Sequence, residues 1–284
     1  MEKEEIKKAV REGYANIARQ APTQSGCCGP SASPCCGTSN SAQNISKAIG
    51  YSEDEISAVP EGSNLGLGCG NPTALASINE GETVVDLGSG AGFDCFLAAK
   101  KVGETGKVIG VDMTPDMIDR ARENARKDKY ENIEFRLGEI ENLPVADNTA
   151  DLIISNCVIN LSPDKARVFQ EAFRVLKPGG RIMISDIMLL KELPEAIKNS
   201  IDAYIGCVSG AIKKEVYLGI IQEAGFKDVE IIQETTFPID LLLNDPTGSA
   251  IIDKLNLTPE KLGDLTNLGA SIKVRGIKPE ILKM

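Results

Sequence analysis

The sequence contains no histidine and no tryptophan, and its 284 residues include only five Tyr and seven Phe. Without His there is no ordinary neutral-pH general base, no imidazole metal ligand and no Ser–His or Cys–His dyad. Proteases and esterases of the common kinds are thereby excluded. Positive charge is in deficit as well, 31 Lys and Arg against 41 Asp and Glu, for a net charge of −10. Such a surface repels phosphate backbones and anionic headgroups, which excludes general nucleic-acid binding and peripheral membrane attachment. No run of 18 apolar residues occurs, and the first residues, Met-Glu-Lys-Glu-Glu, lack the apolar centre of a signal peptide. A cytoplasmic, monomeric protein acting on a small neutral or cationic ligand is expected. Eight Cys are too few for a secreted disulfide scaffold, and in a reducing compartment thiols bind metals, catalyse or simply pack.

With 42% hydrophobic residues, the chain can bury one large core plus appendages. Ile6, Val10, Tyr14 and Ile17 recur at three- or four-residue steps and predict a helix over 2–20. Residues 21–44 are rich in Pro, Gly and Ser, repeat the tripeptide Cys-Cys-Gly and offer almost nothing to bury, the pattern of a mobile loop. A short amphipathic piece over 44–58 leads to a Gly-rich segment and a helix opened by Pro72. From Thr83 onward short β-rich runs alternate with helical stretches, which predicts an α/β fold with a mostly parallel sheet. Three units follow: an N-terminal helix and Cys-rich loop over 1–70, an α/β core over 71–235, and a small C-terminal subdomain over 236–284. In the last, SIKVRGIKP reads as a strand closing against something.

Asp86-Leu87-Gly88-Ser89-Gly90-Ala91-Gly92 follows a buried-looking strand and opens a helix, where glycines let the backbone approach a nucleotide-like ligand. Asp112 ends the next strand, twenty residues after Gly92, where a carboxylate can accept both ribose hydroxyls. The loop is G-x-G-x-G rather than the dinucleotide G-x-G-x-x-G, and Asp86 just before it would repel a pyrophosphate. S-adenosylmethionine carries a sulfonium and an ammonium and no phosphate, so the same acids favour it. The bland alternative is tight helix–strand packing for the glycines and a solvated turn acid for Asp112; the joint register of the two features speaks against it.

The layout resembles the class I methyltransferases, a Rossmann-like fold. That resemblance implies a cofactor site of Asp86, Gly88, Gly90, Gly92, Asp112, Met113, Glu139, Ile140 and Asn156, with Gly138-Glu139-Ile140 flanking an adenine. It also makes Leu176-Lys177-Pro178-Gly179-Gly180 the usual turn before the fifth strand.

Among the thiols, Cys157 follows directly on the fourth strand, at the carboxyl end of the sheet where ligands of open α/β folds bind. Cys69 lies between two glycines, a loop setting rather than a core one, and Cys207 in Ile-Gly-Cys-Val-Ser-Gly has a weaker case of the same kind. Cys157 alone reads equally well as a small buried hydrophobe. Cys95, on a helix face with Phe96, Ala98 and Ala99, reads as core packing. Three loop thiols around a methyl donor suit a soft, thiophilic centre.

In LGLGCGNP, VVDLGSGAGFDCFLAAKKVGETGKVIGVDMT, ISNCVINLSPDK and IGCVSG, the chain closely resembles the arsenite methyltransferases from about residue 14 to 235. The resemblance implies that Cys69, Cys157 and Cys207 handle trivalent arsenic and that an N-terminal cysteine serves as their redox partner. The loop offers Cys27, Cys28, Cys35 and Cys36 for that role; nearness to the Tyr14 segment favours the first pair, and Cys28 is taken. A disulfide between Cys69 and that cysteine would return electrons to arsenic and would itself be reduced by a thioredoxin- or glutathione-type partner. The adjacent cysteines could instead clip a soft metal of their own, though without zinc-knuckle spacing. Two rivals stand beside this reading: a methyltransferase of small organic substrates, and a soft-metal or arsenic binder whose CCG loop does the binding.

Overall fold

A computed structural model describes residues 2–20, 37–193, 195–198, 200–236 and 269–280. Cys27, Cys28, Cys35 and Cys36, and with them most of the expected loop, lie outside the described residues.

The chain enters through α1 (Lys3–Gln20), α2 (Gly37–Ala48), α3 (Glu53–Ser57) and α4 (Pro72–Leu75). Ser52 and Glu55 cap each other's backbone at the start of α3, and the Asn71 side chain accepts from the Ala74 N–H with Pro72 in the first turn of α4. The core alternates β1 (Thr83–Leu87), α5 (Phe93–Val102), β2 (Lys107–Asp112), α6 (Pro115–Lys127), β3 (Ile133–Leu137), β4 (Ala150–Asn156), α7 (Lys165–Val175) and β5 (Leu176–Leu189). It ends with α8 (Glu195–Lys198), α9 (Ile201–Ile205), α10 (Lys214–Glu223), β6 (Lys227–Thr236) and β7 (Gly269–Ile277).

These strands form one seven-stranded sheet in the order β3-β2-β1-β4-β5-β7-β6. The pairings from β3 through β5 are parallel, and β7 runs antiparallel to both β5 and β6. Strands β1 and β4 are buried on both faces, which is why Val84-Val85 and Leu152-Ile153-Ile154 read as continuous apolar runs rather than alternating ones. One face packs around Phe169, Tyr217, Ile221 and Phe226, the other around Phe96, Ile118, Phe135 and Cys95. Cys95 is fully buried there and donates to Asp86 Oδ2 at 3.2 Å, the packing role expected of it.

The chain reverses direction from β1 to β4 at the middle of the sheet, and a crevice opens beyond the carboxyl ends of these strands. Two elements depart in detail from the sequence pattern. The expected Lys-Pro-Gly-Gly turn is a bulge inside the start of β5: Ala150 pairs with Leu176 but Leu152 with Arg181, and Gly179 takes φ +80° to absorb the extra residues. The strand expected in 236–284 is β7, and it lies within the central sheet between β5 and β6. Of that C-terminal stretch, 237–268 and 281–284 lie outside the described residues.

Candidate active site

The Gly-rich loop turns back under the end of β2. Gly88 and Ser89 donate to Val111 O at 2.8 and 3.0 Å, and Gly90 donates to Asp112 Oδ2 at 2.9 Å. Gly88 and Gly92 both have left-handed backbones, and a Cβ on Gly92 would stand 2.7 Å from the Phe96 ring. Asp112 also accepts from the Thr114 N–H at 2.8 Å, so its carboxylate is fixed beside the loop before any ligand arrives.

A cavity runs along this edge, and Asp86, Gly88, Gly90, Asp112, Met113, Ile140 and Asn156 of the expected cofactor set line it. The other two expected residues support the wall rather than form it. Gly92 caps α5, and Glu139 turns to α1, pairing with Lys7 Nζ at 2.7 Å and Arg11 Nη2 at 3.3 Å. Those contacts bring α1 across the cavity, with Val10, Tyr14 and Ile17 facing in.

Three carboxyls concentrate charge at one end. Burial and the neighbouring Asp94 raise Asp86 well above the ordinary carboxylate range, burial with Glu55 nearby pushes Asp94 up to about 6, and burial also raises Asp112. Asp94 is held by Tyr51 Oη at 2.7 Å. Asn156 joins this acidic end to the thiols: its amide nitrogen is 2.7 Å from Gly70 O and 2.9 Å from Tyr51 Oη, and its Oδ1 accepts the Cys69 N–H at 3.0 Å. Gly68 permits that approach, since a Cβ there would sit 2.8 Å from the Asn156 amide.

The three candidate thiols come together from separate parts of the chain. Cys69, Cys157 and Cys207 are buried in one cluster with Val10, Leu161, Ile187 and Tyr204. The Cys69 and Cys157 sulfurs are in disulfide contact, with Cα atoms 5.9 Å apart, and the Cys207 thiol donates to Cys157 O at 2.8 Å. Where the sequence reading pairs Cys69 with Cys28, the pairing among the described residues is with Cys157. Both Cys157 (φ 60°) and Cys207 (φ 62°) hold left-handed backbones, a conformation that costs a non-glycine residue about 1–3 kcal/mol and concentrates at functional sites.

Several site residues are not marked by any motif. Asp186, in the C-terminal part of β5, is fully buried against Cys69 and Cys157, and its carboxyl is pushed up to about 7 by that burial. Lys165 approaches the same wall from α7, donating to Asn160 O and Ser162 O, with Asp186 and Cys207 near its charge. Ser271 reaches in from β7 to donate to Cys69 O at 2.6 Å. Asp186 was accessible to the rule that ligands meet strand carboxyl ends; nothing in the local sequence signals Ser271, which is brought close only by the antiparallel return of β7.

A family model for a methyltransferase domain matches residues 78–225, just over half the chain. The arsenite methyltransferase of Halobacterium salinarum is 50% identical over 233 residues, covering 80% of this chain and 59% of that protein. That of Aquipseudomonas alcaligenes is 36% identical over 230 residues, 78% of this chain and 62% of its own length. The chain thus spans about three-fifths of the curated relatives it matches. Among solved structures, CrArsM of Chlamydomonas reinhardtii, an arsenic(III) S-adenosylmethionine methyltransferase, is 31% identical with a TM-score of 0.60, over 84% of this chain and 74% of that one. With a doubly wound sheet, an acidic glycine-loop cavity and three converging thiols already in place, these similarities make the chain a member of the arsenite methyltransferase family of class I methyltransferases.

Proposed function

We propose that this chain transfers methyl groups from S-adenosylmethionine to trivalent arsenic, as arsenite and methylarsenite, held by the thiolates of Cys69, Cys157 and Cys207. The observation that carries the proposal is the burial of these three thiols in one wall beside the cavity lined by the Gly-rich loop and Asp112.

The residues present suit the cofactor. A Cβ added at Gly90 meets nothing within 4 Å, so the backbone there leaves room for a ligand, and Asp112 keeps a fixed carboxylate for ribose hydroxyls. Asp86 and Asp94 are buried carboxyls whose ionisation burial disfavours; a ligand bearing ammonium and sulfonium offsets that penalty, whereas one bearing phosphate adds to it. When bound, S-adenosylmethionine supplies an electrophilic methyl group and leaves as a neutral thioether.

The protein's own part is positioning. Arsenite is neutral near pH 7, so the acidic surface does not oppose its entry. Cys157 and Cys207 exchange for its hydroxyls, Cys69 completes a sulfur pyramid, and the arsenic lone pair is left to be aimed across the cavity. Proximity and alignment then lower the barrier without a general base, consistent with a chain that has no His. Helix α1 shields the reacting region from water.

Methylation takes As(III) to As(V). Attack of a second cysteine's sulfur on the arsenic-bound Cys69 sulfur forms a disulfide, the As–S bonding pair goes back to arsenic as As(III), and the attacking thiol releases its one proton. Cys69 and the N-terminal Cys28 are the proposed pair, and the Cys69–Cys157 contact gives an adjacent partner through which exchange can pass. A dithiol reductant of the thioredoxin type, or glutathione, restores the thiols from solution.

The test is consumption of S-adenosylmethionine by the reduced protein with and without arsenite. Consumption only with arsenite supports the proposal. Consumption indifferent to arsenite indicates an organic substrate, and arsenic binding without consumption indicates a binder.

A further inference from the structure

We infer that the reduced protein binds a thiophilic divalent cation, Zn(II) or Cd(II), through the two sulfurs of Cys69 and Cys157 and a carboxylate oxygen of Asp186. This site goes beyond arsenic methylation and does not depend on it.

The three ligand atoms lie within 4.8 Å of one another, and all three residues are buried, Asp186 completely. A tetrahedral zinc shell with bonds of about 2.3 Å to sulfur and 2.0 Å to oxygen sets its ligand atoms about 3.5–3.8 Å apart. Reduction releases the two sulfurs from disulfide contact to separate to that spacing, and small side-chain rotations set the Asp186 oxygen beside them. Two thiolates and one carboxylate form a ligand set that zinc and cadmium accept.

Asp186 is oriented as metal-binding carboxylates are. Its Oδ1 accepts from Asn160 Nδ2 at 2.8 Å and from the Ile187 N–H at 3.0 Å, while Tyr217 Oη donates to Oδ2 at 3.0 Å. The three ligands carry three negative charges against the cation's two, and the charge of Lys165 lies close enough to Asp186 to offset the excess. Cys157 lines the cavity, so the fourth metal position faces a space where water can bind and through which the ion can exchange.

The ligand sets of the two elements differ. Trivalent arsenic forms covalent bonds to three sulfurs and has little use for a carboxylate, whereas the divalent ion draws on Asp186 and leaves Cys207 out. Zn(II) or Cd(II) should therefore compete with arsenite for Cys69 and Cys157 while depending on a residue that arsenite does not need. Binding releases the two thiol protons and changes no oxidation state.

The experiment uses reduced full-length protein with Cys27, Cys28, Cys35 and Cys36 changed to Ser, so that the N-terminal thiols do not contribute. Zn(II) is titrated against a chromophoric chelator, and Cd(II) is followed by thiolate charge-transfer absorption. One equivalent is expected to bind, binding is expected to vanish in Cys69→Ser, and Asp186→Asn should weaken it by about tenfold or more with arsenite binding unchanged. X-ray absorption of the zinc-loaded protein with Asp186 intact, which needs no folded Asp186 variant, should find two sulfur neighbours with the remainder oxygen. A shell of three sulfurs, unaltered zinc affinity in a folded Asp186→Asn protein, or no stoichiometric binding would overturn the inference.

Discussion

Asp94 shows how a single buried carboxyl ties ligand to pH. Its pKa stands at about 6 against an ordinary 3.8, so between these values the folded protein holds a proton that the unfolded chain releases. The sign follows: the contribution of Asp94 to stability is fully present below about pH 4 and is lost as pH rises towards about 6, where the burial penalty of its charge is fully felt. Thermal unfolding of Asp94→Asn should be flatter over that window. A cationic ligand reverses the preference, and S-adenosylmethionine affinity should rise through about pH 6 in calorimetric titrations; Asp86 beside it means the two acids titrate as a pair. Asp112→Ala should weaken cofactor binding by about 1–3 kcal/mol, since it removes a charged acceptor, while leaving arsenite binding in place. Unchanged cofactor affinity would mean that Asp112 does not meet the ribose. The placement of Asp112 and Cys157 on the cavity was legible because each lies at the carboxyl end of a strand in an otherwise regular α/β pattern. Asp94 was passed over within Gly-Phe-Asp-Cys-Phe, and its environment depends on Tyr51, which lies 43 residues away.

The loop from Leu67 to Asn71 owes its form to its neighbours more than to its own sequence. Asn156 holds the Cys69 N–H, Ser271 holds the Cys69 carbonyl, and Gly68 leaves space for the Asn156 amide. Gly68→Ala meets both a backbone penalty at φ +109° and that amide, and should cost about 1–3 kcal/mol. Chemical denaturation would register the loss, and faster alkylation of Cys69 in the reduced protein would show that the loop has moved. Ser271→Ala should have a smaller effect in the same direction, about 1 kcal/mol for one hydrogen bond. Sequence periodicity located α1 almost to the residue, expected over 2–20 and found at Lys3–Gln20, because it is a single amphipathic helix. After β5 come two short helices, α8 and α9, and α9 stops before Cys207, whose left-handed backbone could not continue it. Backbone reversals of that kind at a non-glycine residue leave no mark in composition.

For the whole molecule, the decisive arrangement is a sheet whose last described strand lies inside it. Strand β7 fills the place between β5 and β6 and carries Ile272 and Val274 into the core. A chain ending before Gly269 should therefore lose cooperative thermal unfolding, followed by circular dichroism; retention of a sharp transition would show that the sheet tolerates the loss. The parallel core was readable from strand–helix alternation, whereas the place of β7 was not, since antiparallel insertion after a long connection has no local signature. Among the described residues no helix is long and apolar enough to cross a membrane. The same fold brings thiols from positions 69, 157 and 207 into one cluster beside the cavity that the acidic glycine loop lines. The central claim is that this wall holds the arsenic that is methylated. Its most direct test is chromatographic arsenic speciation after incubation with arsenite, S-adenosylmethionine and a thiol reductant, with wild type and Cys157→Ser side by side. Methylated arsenic from the wild type alone, with cofactor binding retained by the variant, is the predicted result; equal methylation by Cys157→Ser, or none by the wild type whatever the reductant, would contradict it.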